Sequence, residues 1–264
     1  MRKVECIIMD WAGTTVDYGC FAPVEAFIRS FNTLGVDVLP AETRAYMGLS
    51  KIEEIRALFR LERVQEAFRL HHGRPSNEDD VQACYQQFQQ LLCATLADYS
   101  VPLPGVTDTV DLLRRTRGMK IGSTTGYTAA MMDIVLSAAA RHGYKPDACV
   151  TADKLPAGRP CPYMIFQNMI GLAVPSTDLV VKYGDTIADI KEGVNAKVWT
   201  VGAIMGSNEL GLTEDEVRAL PQDELDRRKD DIRRRMTEAG AHYVVNDITE
   251  LPAVLDDIDR RLNA

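Results

Sequence analysis

The chain has 264 residues, of which 46% are hydrophobic and 26% are charged. These values are typical of a globular protein and argue against a disordered, fibrous or disulfide-rich secreted chain. A formal net charge of −8 provides no general basic surface, so we expect neither nucleic acid nor membrane as a partner, although a local basic pocket for a small anion fits this balance. No apolar run reaches the length of a signal-peptide core or a membrane span, and we expect a cytoplasmic protein.

The first predicted element is a buried strand. Residues 4–9 form a short apolar run that ends at Asp10 and is followed by Gly13, which is the pattern of a parallel strand that delivers residues to a loop. Similar apolar runs recur at 119–123, 179–183 and 198–201. Segments with helical apolar spacing separate these runs, and the alternation predicts an α/β fold with a doubly wound, Rossmann-like parallel sheet.

Helical periodicity replaces the strand pattern in the segment that follows the first strand. The predicted helices there are 24–34, 51–70 and 79–97. We therefore predict a helical cap domain at 20–100, inserted into an α/β core formed by 1–19 and 101–264. Residues 223–235 carry interleaved acids and bases at helical spacing, which predicts a solvated surface helix.

Carboxylates follow two separate predicted strands. Asp10 follows the first strand, and Asp185 and Asp189 follow the strand at 179–183. Ligands of open parallel sheets bind beyond the carboxyl ends of the strands, so these acids are expected to converge. Clustered acids repel one another unless a cation joins them, and hard oxygen ligands suit Mg²⁺. A magnesium site is the resulting hypothesis, and helix capping is the alternative for each acid taken alone.

Two further positions favour a phosphoryl site over simple helix capping. Thr125 follows the predicted strand at 119–123, and Arg159 lies in a loop segment, Ala-Gly-Arg-Pro. A hydroxyl, backbone N–H groups and a cation are what phosphoryl oxygens require. The combination with the strand-end acids therefore indicates a site for a phosphoryl group.

With these positions the sequence resembles the haloacid dehalogenase superfamily. The motifs of that superfamily are a strand-end nucleophile in DxDx(T/V), a strand-end Ser or Thr, a basic residue and paired acids. The matching residues, in the same order, are Asp10, Thr125, Arg159 and Asp185 with Asp189. The usual phosphatases of the superfamily have a second Asp two positions after the nucleophile, where this chain has Ala12. Loss of a positioned general acid costs roughly 10²- to 10⁴-fold in rate, so Ala12 argues against a routine phosphatase.

A carbon leaving group poses a different chemical problem, because a carbanion needs an electron sink. An iminium formed from a lysine and a neighbouring aldehyde is such a sink, and the predicted cap supplies Lys51. The segment around Lys51 and four others look like the phosphonoacetaldehyde hydrolase family, and the resemblance extends over most of the chain. These segments are 10–20, 47–52, 123–127, 157–160 and 206–212.

The resemblance implies hydrolysis of the carbon–phosphorus bond of phosphonoacetaldehyde to acetaldehyde and phosphate. Asp10 would attack phosphorus and form an aspartyl phosphate, and Lys51 would form a Schiff base with the aldehyde. The implied cofactor is Mg²⁺, bound by Asp10, the Ala12 carbonyl and Asp185, with Asp189 in the outer metal shell. The resemblance also implies a homodimer assembled through the cap.

The resemblance further implies the residues that bind the substrate. Thr125, the Gly126 backbone and Arg159 would hold the phosphonate oxygens. Cys20, Met47 and Tyr127 would line the pocket around the aldehyde, and plain packing is the alternative for these three.

Glu54 departs from the family pattern, because the family commonly has a histidine three residues after the Schiff-base lysine. Glu54 would either move protons or hold the lysine as an ammonium ion and slow imine formation, since a nearby anion favours the charged amine. Two other functions also stay open. One is a related phosphoryl-transfer enzyme acting on another phosphonate or on a phosphate ester, and the other is a non-catalytic phosphonate-binding protein.

Overall fold

A six-stranded parallel sheet lies at the centre of the computed structural model, which describes residues 2–264. Met1, the first residue of the predicted core, lies outside the described residues. The strands are β1 (Cys6–Met9), β2 (Lys120–Thr125), β3 (Ala148–Thr151), β4 (Val180–Gly184), β5 (Trp199–Ala203) and β6 (Tyr243–Val245). Their order is β3-β2-β1-β4-β5-β6, and every neighbouring pair is parallel. The predicted strands are confirmed as β1, β2, β4 and β5, whereas the sequence analysis missed the two edge strands.

Helices cover both faces of this sheet. The core helices are α6 (Val106–Arg117), α7 (Ala129–Arg141), α8 (Tyr163–Gly171), α9 (Ile187–Ala196), α10 (Glu214–Ala219), α11 (Gln222–Glu238) and α12 (Leu251–Leu262). Successive side chains of a strand point to opposite faces. In β1, Ile7 joins the apolar cluster that contains Val110 of α6, while Ile8 joins the cluster that contains Ile165 of α8. Because both faces are covered by helices, the predicted doubly wound α/β fold is confirmed.

The cap is a helical segment inserted between β1 and β2. Its helices are α1 (Phe21–Asn32), α2 (Pro40–Arg44), α3 (Lys51–Phe59), α4 (Glu62–His72) and α5 (Glu78–Thr95). The rings of Phe27 in α1 and Phe88 in α5 stack with their centroids 4.3 Å apart, and both side chains are fully buried. The cap therefore has an apolar interior of its own.

The predicted single helix at 51–70 is wrong, because the structure divides it into α3 and α4. Leu61 between the two helices has extended backbone angles, φ −65° and ψ 128°. This turn brings the rings of Phe59 and Phe68 to a centroid distance of 5.8 Å. Burial of both aromatic side chains offsets the loss of a continuous helix.

The charged segment at 223–235 lies within α11, as predicted for a solvated helix. Its buried side chains are Leu225, Ile232 and Met236, and ion pairs of exposed acids and bases cover the rest. Within residues 2–264, no helix combines the length and the apolar character needed to cross a membrane.

We expect Phe88→Ala to lower the free energy of unfolding by about 3–5 kcal/mol, because it removes a buried ring and leaves a cavity between α1 and α5. Urea unfolding followed by circular dichroism measures this change. Leu70→Ala is the matched control, since the Leu70 side chain in the same cap is 75% exposed and its loss should change stability by no more than about 0.5 kcal/mol. Equal effects of the two substitutions would contradict this description of the cap interior.

Candidate active site

Three neighbouring strands deliver polar residues to one edge of the sheet. Asp10 directly follows β1, Thr125 is the last residue of β2, and Asp185 directly follows β4. Carboxylate oxygens of Asp10, Asp185 and Asp189 all lie within 4.8 Å of one another. The structure thus brings together the acids that the sequence analysis predicted to converge.

The loop after β1 is held tightly against this edge. The Asp10 N–H donates to the Tyr183 carbonyl over 3.0 Å, and the Thr15 hydroxyl donates to the Asp10 carbonyl over 2.9 Å. Gly13 has φ +85°, and a Cβ atom there would lie 2.3 Å from Asp185 Oδ2. Only glycine allows the backbone to approach this carboxylate so closely.

Two buried cations bind most of the acids at this edge. Arg159 Nη2 lies 2.7 Å from Asp10 Oδ1 and 3.1 Å from Asp189 Oδ1, and its Nε lies 3.0 Å from Glu192 Oε2. Lys182 Nζ lies 2.7 Å from Asp189 Oδ1 and 3.5 Å from Glu192 Oε2. We call Asp10, Asp185, Asp189, Glu192, Arg159 and Lys182 the strand-end charge cluster.

The three aspartates of this cluster differ in how far their charge is compensated. Burial alone would raise the pKa of Asp189, but Arg159 and Lys182 outweigh it and lower the pKa to about 2. Burial raises the pKa of Asp10, even though Arg159 opposes this. Burial also raises the pKa of Asp185 well above the ordinary value, and the charges of Asp10 and Asp189 add to the effect. Among the three aspartates, Asp10 and Asp185 are thus the ones whose negative charge is least compensated.

This residual charge suits a divalent cation. The cluster contains four carboxyl groups and two cationic side chains, so its formal charge is −2 when all six groups are ionised. Carboxylate oxygens are hard ligands of the kind that Mg²⁺ and Ca²⁺ prefer. Asp189 is already bound by the Thr186 hydroxyl and Lys182, which leaves Asp10 and Asp185 as the better ligands.

Lys51 approaches the same site from the cap. It is the first residue of α3, and its side chain is only 4% exposed. Its Nζ lies 2.9 Å from Glu54 Oε1 and 3.3 Å from Met47 Sδ. The rings of Phe27 and Tyr127 lie 5.4 and 5.5 Å from Nζ, within the range of a cation–π interaction. A buried amine with one anionic neighbour is thus held in largely apolar surroundings.

The loop before α3 touches the core directly. Arg159 Nη1 donates to the Gly48 carbonyl over 3.4 Å. A Cβ atom at Gly126 would lie 2.3 Å from the Leu49 carbonyl oxygen, far closer than such atoms can come. The absence of a side chain at residue 126 therefore lets the cap close over the strand ends.

One small cavity joins the two halves of the site. Its volume is about 20 Å³, the space of about one water molecule. Nine predicted site residues line it: Asp10, Ala12, Cys20, Met47, Lys51, Thr125, Gly126, Tyr127 and Arg159. Asp185 and Asp189, the other two, do not line the cavity, but each has a carboxylate oxygen within 4.8 Å of one of Asp10.

The sequence analysis missed several residues that hold this site together. Lys182 and Glu192 belong to the charge cluster, and the Thr124 hydroxyl accepts hydrogen bonds from Arg159 and Lys182. The Asn208 N–H donates to Asp185 Oδ2 over 2.7 Å. The sequence could have identified Lys182, because a lysine within an apolar strand is rarely buried without an acidic partner.

We expect Asp185→Asn to raise the melting temperature of chelator-treated protein by a few degrees at about pH 8. A carboxyl group whose pKa is raised on folding binds its proton more tightly in the folded state, so the folded protein loses stability as the pH rises through the raised value. The variant should therefore lose less stability than the parent between about pH 5 and about pH 8. The Thr14 hydroxyl, which donates to Asp185 Oδ1, can turn to accept from the new amide.

Differential scanning fluorimetry across this pH range measures the effect. Asp230→Asn is the control, because the Asp230 side chain is 79% exposed and its removal should leave the pH dependence unchanged. An Asp185→Asn variant that loses stability with pH as steeply as the parent would contradict the charge assignment.

Comparison with known proteins identifies the family of the chain. A family model described as haloacid dehalogenase-like hydrolase matches residues 4–197. The phosphonoacetaldehyde hydrolase of Bacteroides fragilis is 54% identical over 263 residues, which cover 100% of both chains. The protein of the same name from Parabacteroides distasonis is 52% identical over 262 residues, or 99% of both chains.

A solved structure extends the similarity to three dimensions. The crystal structure of a phosphonoacetaldehyde hydrolase-like protein from Oleispira antarctica matches with a TM-score of 0.96 and 38% sequence identity, over 99% of this chain and 94% of that one. The similarity thus includes both the sheet and the helical cap. The chain belongs to the phosphonoacetaldehyde hydrolase family of the haloacid dehalogenase-like hydrolases.

Proposed function

We propose that this chain hydrolyses the carbon–phosphorus bond of phosphonoacetaldehyde and releases acetaldehyde and phosphate. The observation that carries this proposal is that Asp10 and Lys51 line one cavity, the first from the core and the second from the cap. A carboxylate suits attack on phosphorus, and an amine suits condensation with an aldehyde. The names of the relatives support the same substrate.

Lys51 is the residue that we propose to activate the aldehyde. Its amine condenses with the carbonyl carbon, water leaves, and the resulting iminium accepts the electron pair of the carbon–phosphorus bond. Met47, Tyr127 and Cys20 line the cavity beside it. In this proposal they exclude water from the iminium and shape the pocket around the two carbons of the substrate.

Asp10 is the proposed nucleophile. Its carboxylate forms a bond to phosphorus as the carbon–phosphorus bond breaks, and water then hydrolyses the aspartyl phosphate. Arg159, which contacts Asp10, is the residue that we propose to bind a phosphonate oxygen. The Thr125 hydroxyl accepts from the Tyr127 N–H over 3.0 Å, which leaves its own proton for another phosphonate oxygen. The Gly126 N–H is the third proposed donor.

Mg²⁺ is the proposed cofactor, because small hard cations bind carboxylates together with a phosphoryl group. Asp10, Asp185 and the Ala12 carbonyl would hold it, and Asp189 would support this set from the outer shell. When bound, Mg²⁺ supplies positive charge that offsets repulsion between the attacking carboxylate and the phosphonate oxygens.

The domain bounds, the oligomeric state and the location of the protein stay as predicted from the sequence. We keep residues 20–100 as the cap domain and 1–19 with 101–264 as the core. A homodimer assembled through the cap and a cytoplasmic location also stay predictions.

We expect Lys51→Arg to lower acetaldehyde and phosphate release by about 10⁴-fold or more, because arginine keeps the charge but forms no imine under these conditions. Asp10→Asn should stop phosphate release to a similar extent while it leaves the imine intact. Coupled assays of both products with Mg²⁺ present, together with borohydride trapping and mass spectrometry, measure these effects.

In the trapping experiment, reduction should attach the substrate-derived carbons to Lys51 in the parent and in Asp10→Asn, but not in Lys51→Arg. Asp230→Asn serves as the control for both assays and should match the parent. Product release by Lys51→Arg at the parent rate would remove the imine from the mechanism.

A further inference from the structure

The mechanism proposed above leaves one buried acid beside the reacting amine without a role. Glu54 lies on α3 three residues after Lys51, is fully buried, and places Oε1 2.9 Å from Lys51 Nζ. Its second oxygen, Oε2, has no hydrogen-bond partner among the described residues. Burial of a carboxyl oxygen without a partner is costly, so this position calls for a functional explanation.

The other groups near Lys51 are poor proton acceptors. Burial raises the pKa of the Tyr127 hydroxyl and of the Cys20 thiol well above their ordinary values, so both stay protonated near neutral pH. Met47 offers only a thioether. Burial raises the pKa of Glu54 to about 7, although the neighbouring Lys51, the Gly48 backbone N–H and, more weakly, Arg159 oppose this shift. Of the two side chains within hydrogen-bond distance of Lys51 Nζ, Met47 and Glu54, only Glu54 can thus both take and return a proton.

We propose that Glu54 is the catalytic base and acid of imine formation, an inference that rests on the proposed function. Glu54 takes one proton from the Lys51 ammonium, and the lone pair freed on Nζ attacks the aldehyde carbon. A second proton passes from nitrogen to the former carbonyl oxygen and gives the carbinolamine.

Glu54 then returns its proton to the hydroxyl group, which leaves as water while the double bond between Nζ and carbon forms. The ammonium and the aldehyde have become a protonated imine and one water molecule, and Glu54 is again a carboxylate. No oxidant or further reactant is needed. The carboxylate then lies beside a positively charged iminium in place of the ammonium, so it also stabilises the product of the step.

A purely electrostatic role of Glu54 makes the opposite prediction. If its negative charge only held Lys51 as an ammonium ion, removal of that charge would favour the free amine and speed up imine formation. If Glu54 transfers protons, the same removal slows imine formation. The sign of the change therefore separates the two roles.

We expect Glu54→Gln to lower the rate of imine formation by about 10²- to 10⁴-fold, the usual contribution of a positioned proton-transfer group. Rapid mixing with phosphonoacetaldehyde, followed by borohydride trapping at timed intervals and mass spectrometry of the Lys51 peptide, measures this rate. Glu53→Gln is the matched control, because the adjacent Glu53 side chain is 49% exposed and pairs with Arg56. This control should react at the parent rate.

A second variant tests whether the lost rate has a purely structural cause. Glu54→His restores a group that can take and return a proton but carries no negative charge, and we expect it to recover at least about tenfold of the lost rate. Melting temperatures of all variants test for retained folding. Imine formation by Glu54→Gln at or above the parent rate would overturn the proposal, as would equal losses in Glu54→Gln and Glu54→His with both variants folded.

The trapping experiment would give a different result if the proposed function itself were wrong. In that case the parent and Glu53→Gln would also form no trappable imine, which would overturn both proposals together. Loss confined to the Glu54 variants, with recovery in Glu54→His, supports the role of Glu54 alone.

Discussion

The burial of four carboxyl groups against only two cationic side chains is the constraint on which the rest of the structure depends. Arg159 pairs with Asp10, Asp189 and Glu192, and Lys182 pairs with Asp189 and Glu192. The two cations lower the pKa of Asp189, whereas burial still raises the pKa of the other three acids, so the compensation is uneven. Ionised groups in a protein interior are stable only when they are paired or bind a cation. The same imbalance that destabilises the isolated cluster therefore leaves negative charge on Asp10 and Asp185 that the proposed Mg²⁺ would offset.

The cap contributes an amine to the site rather than another acid. The Lys51–Glu54 pair is neutral overall when both groups are ionised, so the cap adds no net charge to the strand-end charge cluster. Its surroundings are mainly apolar or aromatic. In the proposed mechanism, attack on phosphorus and activation of the aldehyde thus have separate environments within one cavity, one provided by the core and the other by the cap.

The central strands and the convergence of the strand-end acids could be predicted from the sequence because each leaves a local pattern, whereas the roles assigned to Lys51 and the residues around it rest on resemblance to a family. Strands that are buried on both faces are continuous apolar runs, whereas the apolar runs of the edge strands β3 and β6 are only three residues long. Lys182 lies within an apolar run of the sequence, and only the fold shows that its ammonium group pairs with Asp189 and Glu192. The break at Leu61 depends on contacts between Phe59 and Phe68, which helical periodicity does not encode.

The close approach of the Leu49 carbonyl to Gly126 has a consequence for the timing of the reaction cycle. The cavity has room for about one water molecule, so under the proposed function the cap has to open before the substrate can enter or the products can leave. A faster chemical step would then leave the overall turnover unchanged once this opening becomes the slowest event. The solvent viscosity, which slows domain motion but not bond cleavage, would in that regime set the pace of the protein.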